Sequence, residues 1–232
     1  MADAPVIEFR AVGARYGKLT ALADVSFAVA PGQRVGVFGH NGAGKTTLLR
    51  CAVGGVPGVS GEVRCADQAI EPGAVYRNTR LGLGFVPQGH NVFKNLSVER
   101  NLRVAGLLHD AGYIDAVYGM FPVLAERRGQ LAGSLSGGQQ QMLALGMALM
   151  TRPRVLLLDE PMSGLAPVIV ESVLATLTRI NRDSGTAIVI VEQNLMATLP
   201  AVDRAVILKA GRLVWDGAAA ELAAKEDLWA WF

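Results

Sequence analysis

Residues Gly39-His40-Asn41-Gly42-Ala43-Gly44-Lys45-Thr46 follow the spacing G-x-x-x-x-G-K-[ST]. They lie between a continuous apolar run, Val35-Gly36-Val37-Phe38, and a helical pattern that opens at Lys45. A strand, a glycine-rich turn and a helix in that order make a phosphate-binding loop. The glycines let the backbone curl until its N–H groups point at phosphate oxygens, and the helix N-terminus adds partial positive charge. Lys45 then reaches the β- and γ-phosphates, and Thr46, followed by Thr47, offers a hydroxyl to Mg²⁺. Four fixed positions of this kind recur by chance in about one chain in a hundred, so a second signal is required.

That signal is Val155-Leu156-Leu157-Leu158-Asp159-Glu160, an apolar strand ending in two acids. Ligands collect at the C-terminal edge of open α/β sheets. There Asp159 takes the Mg²⁺-side position, and Glu160 polarises a water for in-line attack on a γ-phosphate. Taken alone, the two acids are as well explained as a polar strand exit. Paired with the glycine loop they are not.

The bulk numbers bound the fold. The 232 residues suit one large α/β domain, or one domain with a small insertion. Hydrophobic residues make up 51% and charged residues 18%, against a usual charged share of about 25%. With a mean hydropathy of +0.32, disorder is excluded. The densest apolar stretch, Met142 to Met150, is far short of the roughly 20 residues of a spanning helix. A net charge of +2 without any run of five or six like charges argues against nucleic acid as a partner. Cys51 and Cys65 fit no metal or redox spacing, and the start carries no signal-peptide pattern, so a cytosolic chain is expected.

Along the chain, the first 35 residues read as short strands, among them Val6 to Phe9 and the alternating Val25 to Val29, with a turn at Pro31-Gly32. A short strand falls at Gly84-Phe85-Val86. Residues 89–151 carry helical signals instead, with Ser97 as N-cap of a helix through Val104, a helix-loop region over 107–130, and a helix from Gln139 to Met150 that is apolar nearly all round. Strands return at Val155–Leu158 and Ala187–Val191, uniformly apolar as strands covered on both faces are. A helix over 167–182 separates them. Arg204–Leu208 and Leu213–Trp215 form a hairpin, and an Ala-rich helix with Trp229, Trp231 and Phe232 ends the chain.

Leu135-Ser136-Gly137-Gly138-Gln139, just before the apolar helix, gives the chain a family likeness. With the glycine loop, Gln88 and the Asp-Glu strand in this order, the whole chain resembles the ATP-binding-cassette (ABC) family. The resemblance implies a P-loop NTPase of RecA-like α/β core, with an antiparallel β subdomain and an inserted ABC helical subdomain. Residues 1–88 and 152–232 would form the core and 89–151 the insertion. It implies ATP and Mg²⁺ as cofactors. Ser136, Gly137, Gly138 and Gln139 would meet the γ-phosphate bound by an opposite cassette, through a hydroxyl and close backbone N–H groups at a helix N-terminus. Tyr16, in Arg15-Tyr16-Gly17, would stack on adenine. Gln88 would approach Mg²⁺ and sense the γ-phosphate, and Ser163-Gly164-Leu165-Ala166 would cross to the other subunit.

Two positions depart from the family pattern. A histidine after the next strand usually contacts the γ-phosphate, but here the strand runs Val191-Glu192-Gln193-Asn194, and His40, His90 and His109 all lie upstream. Gln193 takes the place as a neutral amide donor. Ala166 stands where many members have aspartate. With Phe121-Pro122 and Glu126-Arg127-Arg128, these segments are similar to the second ATPase subunit of branched-chain amino-acid importers, a subunit type shared with urea and short-chain amide importers. Many such amino-acid subunits have Glu where this chain has Gln88. The implied partners are a second cassette (a different chain, with a homodimer left open), membrane permease subunits and, indirectly, a periplasmic solute-binding protein. The implied place is the inner face of the plasma membrane, reached through the permease. A non-catalytic regulatory cassette is the rival that Gln193 and Ala166 raise, and Lys45, Asp159 and Glu160 speak against it.

Overall fold

The computed structural model describes residues 4–89, 91–107 and 110–225. The aromatic positions Trp229, Trp231 and Phe232 lie outside them. Two sheets organise the chain. A four-stranded antiparallel sheet holds β1 (Ile7–Tyr16), β2 (Leu19–Val29), β4 (Val59–Cys65) and β5 (Gln68–Ala69), in the order β2-β1-β4-β5. A six-stranded sheet holds β3 (Arg34–Phe38), β6 (Leu83–Val86), β7 (Val155–Asp159), β8 (Ala187–Glu192), β9 (Arg204–Lys209) and β10 (Arg212–Ala218), in the order β10-β9-β3-β8-β7-β6. Its pairs are parallel except the β9–β10 hairpin.

The uniformly apolar strands are explained by what covers them. Side chains alternate between faces, and both faces are buried. Leu156, Leu158, Ile188, Ile190 and Ile207 join one core cluster. Val155, Leu157, Val189, Val191, Val206 and Leu208 join the other. The first cluster includes α3 (Val98–Gly106), α4 (Ile114–Met120), α6 (Gly137–Leu149) and α7 (Pro167–Ser184); the second holds α1 (Lys45–Ala52) and the inner face of the antiparallel sheet. Among the described residues the shortest α-helices are α2 (Val75–Thr79), α5 (Pro122–Glu126), α8 (Leu195–Thr198) and α9 (Ala219–Ala223).

β6 and β7 pair directly although residues 87–154 separate them in sequence. That excursion carries α3 to α6. Ser97 caps α3 by accepting from Arg100 N–H at 3.2 Å; the helix runs two residues past the expected end at Val104. In α6, Gly146 admits Val117, Leu102 and Leu124 so closely that a Cβ would come within 3.1–3.5 Å of them. The N-terminal strands are longer than the short runs expected, because β1 and β2 form one continuous hairpin of 10 and 11 residues. β4, β5 and α2 were not expected at all.

Candidate functional site

The glycine loop leaves β3 and enters α1 through backbone that L side chains rarely adopt. Gly39, Gly42 and Gly44 have φ of 151°, 80° and 103°. A Cβ on Gly39 would lie 2.3 Å from the Leu208 carbonyl oxygen, and one on Gly44 2.6 Å from Leu22 Cδ2. Gly39 and Gly44 are therefore required by both conformation and space, and Gly42 by conformation alone. The loop is tied at its back by the Gly211 N–H, which donates to the Ala43 carbonyl at 3.0 Å.

Lys45 crosses the loop. Its Nζ donates to the Gly39 carbonyl at 2.8 Å and the His40 carbonyl at 3.2 Å, and stands 3.8 Å from Glu160 Oε1. The ammonium is buried, and burial holds its pKa below the ordinary 10.5 against the opposing pull of Glu160, Asp159 and Glu192. Thr46 Oγ1 donates to Asp159 Oδ1 at 3.0 Å. Asp159 is buried at the end of β7, and desolvation lifts its pKa above 3.8 while the Thr46 bond pulls it down.

Glu160 is the meeting point of three segments far apart in sequence. Gln88 Nε2 donates to its Oε2 at 2.7 Å, and Gln193 Nε2 donates to its Oε1 at 2.7 Å. Glu160 itself sits at φ 46°, a left-handed conformation that costs a non-glycine residue about 1–3 kcal/mol and clusters at functional sites.

These groups line a cleft of about 490 Å³ with Tyr16, Asn41, Gly42, Gly44, Thr47 and Ser163. The cleft thus gathers Tyr16, Asn41, Gly42, Gly44, Lys45, Thr46, Thr47, Gln88, Glu160 and Gln193 from the sequence expectation. Gly39, His40 and Ala43 shape the loop behind it. None of Ser136, Gly137, Gly138 or Gln139 is among the described residues lining it. Ser136 instead N-caps α6 in a capping box with Gln139, at 3.4 and 3.1 Å. Gly138 faces α7, where a Cβ would meet Ile169 Cγ2 at 2.7 Å. Ala166 N-caps α7 without a side-chain bond, and Pro167 fills its first turn.

The donor set suits a nucleotide with Mg²⁺. Thr46 and Asp159 place two hard oxygen donors side by side, the Gln88 amide is at hand, and Mg²⁺ takes one or two protein ligands plus water and phosphate oxygens. Among the described residues no cluster of three His, Cys, Asp or Glu side chains gathers to hold a metal by protein alone. Leu19, Thr20 and Ala21 also line the cleft although no sequence motif marks them, and one further acid went unassigned at the sequence level. Glu192 is a buried carboxylate at the end of β8, and its signal was an acid closing an apolar strand.

Comparison with known proteins places these features in company. Residues 22–163 match the family model described as ABC transporter. The chain is 40% identical over 221 residues to the high-affinity branched-chain amino acid transport ATP-binding protein BraG of Pseudomonas aeruginosa, covering 94% of each. It is 37% identical over 215 residues to the probable branched-chain amino acid transport ATP-binding protein LivF of Archaeoglobus fulgidus, covering 91% of each. The ADP conformation of an ATP-binding cassette of an ABC transporter shares the fold, with a TM-score of 0.88 at 21% identity over 97% of each chain.

Proposed function

The chain belongs to the ABC transporter family of ATP-hydrolysing cassettes, and from that premise we propose that it energises a branched-chain amino-acid or related small-solute importer through a partner permease. The observation that carries the hydrolytic part is Glu160, held at 2.7 Å by both Gln88 and Gln193 on the rim of the glycine-loop cleft. The 40% identity to the branched-chain amino acid transport protein supports the class of solute.

In this reading the loop backbone from Gly39 to Thr46 cradles the phosphates. Lys45 moves its ammonium from the Gly39 and His40 carbonyls to the β- and γ-phosphate oxygens. Tyr16, 40% exposed at the cleft, offers its ring to adenine. Mg²⁺, when bound, neutralises phosphate charge and would be held by Thr46, by Asp159 and through Gln88. Glu160 accepts a proton from the attacking water. The Gln193 amide donates to the γ-phosphate in place of the missing imidazole.

Ser136 to Gln139 lie off the cleft of their own chain, which is the arrangement a face-to-face pair of cassettes uses: each signature loop closes the other's site. Residues 89–151 act as a helical subdomain that passes closure to the permease as a rigid-body change. No described helix is long and apolar enough to cross a membrane; in this reading the chain sits at the cytoplasmic face through its contact with the permease. Copurification with the permease, followed by ATPase measurements with branched-chain amino acids, urea and short-chain amides, tests the reading. Stimulation by none of them would refute the solute class; absence of Mg·ATP turnover in the assembled complex would refute the catalytic role.

A further inference from the structure

Ala187-Ile188-Val189-Ile190-Val191 is an apolar strand in the middle of the six-stranded sheet, yet it closes on an acid. Glu192 still pairs in register with Phe38 of β3 and is 4% exposed. A carboxylate so placed is strongly unfavourable unless its oxygens are satisfied. Glu192 is absent from the ion pairs among the described residues; what satisfies it is backbone. Oε1 accepts from Met162 N–H at 3.0 Å and Oε2 from Gln193 N–H at 3.3 Å. Burial pushes its pKa above 4.5, and the N–H groups of Met162, Gln193 and Asn194 draw it back.

Both bonds bear on Glu160. Pro161 has no N–H, so Met162 carries the first free amide after Glu160. Glu160 itself holds a strained φ of 46°, which persists only where its surroundings impose it. The end of β8 imposes it from both sides. The Val191 carbonyl accepts from Glu160 N–H at 2.9 Å, and the Glu192 carboxylate accepts from Met162 N–H. The same carboxylate takes the N–H of Gln193, whose amide then returns to Glu160 Oε1. Glu192 does not line the glycine-loop cleft; it faces an adjoining one of about 510 Å³.

We propose that Glu192 is a positioning residue: its buried carboxylate ties the segment after Glu160 to the segment bearing Gln193, and so fixes where those two side chains meet. The inference rests on the catalytic reading of Glu160 and Gln193 given above. It adds that a neutral isostere cannot do the work. A glutamine at 192 has one acceptor oxygen for two N–H groups and turns its own NH₂ against the other.

Two readouts on the full chain test this. Hydrogen exchange without nucleotide reads the Met162 and Gln193 amides directly; Glu192→Gln should speed exchange at one or both. Mg·ATP turnover reads the consequence. Misplacement of a reacting group by about 1 Å costs about a hundredfold, so Glu192→Gln should lower kcat by about that factor while the Kd for a non-hydrolysable ATP analogue stays within about threefold. Glu192→Asp keeps the charge, retracts it by one methylene and should fall between, and it carries the same comparison should the glutamine variant fail to fold. Exchange unchanged, or kcat within about twofold of wild type, would overturn the proposal. So would affinity falling in step with kcat, which would make Glu192 merely structural. Normal turnover by Glu160→Gln would instead refute the base role, and the nucleotide-free exchange would still judge the Glu192 clamp by itself.

Discussion

Gln193→Ala is the substitution that tests this chain's own departure from its family. Gln193 is an exposed residue whose Nε2 lies 2.7 Å from Glu160 Oε1. Hydrogen bonds to charged partners contribute about 1.5–3 kcal/mol. In the nucleotide-free chain water replaces this exposed donor, so thermal stability should move by less than about 0.5 kcal/mol. On the proposed mechanism the same donor faces a γ-phosphate in a closed site in the transition state, where water cannot follow. At 1.36 kcal/mol per factor of ten, loss of about 1.5–3 kcal/mol lowers kcat by about 10- to 150-fold. The assay is phosphate release by the assembled complex at saturating Mg·ATP. Gln193→His sharpens it. An imidazole ordinarily titrates at about 6.5, so this variant should retain turnover and show an inflection between about pH 5 and 8 beyond any in the wild-type profile. Unchanged kcat in Gln193→Ala would refute the donor role, as would a flat profile in an active Gln193→His.

Glu160→Gln should nearly abolish hydrolysis and accumulate ATP-bound dimers on size exclusion; wild-type turnover would remove Glu160 from the base role. Gly44→Ala sets a Cβ 2.6 Å from Leu22 Cδ2 and 2.7 Å from the Ala21 carbonyl at φ 103°, a strain of about 1–3 kcal/mol that should lower Tm by several degrees and weaken ATP binding, both readable by calorimetry. Burial pushes the Cys51 thiol to about 12 and the Cys65 thiol to about 11, so a disulfide reagent at mildly alkaline pH should label neither until the chain is unfolded. Glu192 binds its proton more tightly folded than unfolded, because burial raises its pKa from 4.5. Its contribution to stability is therefore full below 4.5 and lost as pH rises through the folded value. The Tm of Glu192→Gln minus that of wild type should grow more positive from acid to neutral pH; the opposite slope would contradict the burial argument.

What could be read from sequence alone was what depends on local order. The β3–loop–α1 unit is contiguous, and each strand of the parallel sheet announces itself because both of its faces are covered. The antiparallel sheet was only half legible, for physical reasons. β1 and β2 pair through repeated register shifts between Phe9 and Arg15, with Ala11 and Asp24 at positive φ. Each bulge breaks the two-residue alternation on which strand recognition depends. β4, Val59-Ser60-Gly61-Glu62-Val63-Arg64-Cys65, mixes charge and glycine and buries few of its residues. It is a strand because β1 is there to pair with it, a long-range fact no window of sequence contains.

The site divides the same way. Its motifs were visible one by one, but their convergence on a single carboxylate was not. Gln88 and Gln193 are 72 and 33 residues from Glu160, and only the sheet brings them within 2.7 Å of it. The signature makes the converse point. In its own chain Ser136 is a helix cap and Gly138 is a glycine because Ile169 leaves no room for a Cβ. Local physics thus accounts for two of its residues without any ligand. A functional role for Ser136 to Gln139 lies outside one chain's packing. It requires a second cassette, and the prediction that separates the two accounts is that replacing Ser136 with Ala should cost the cap's roughly 1 kcal/mol in each monomer, whereas a γ-phosphate contact would add a loss of ATP-driven dimerisation that Tm does not register.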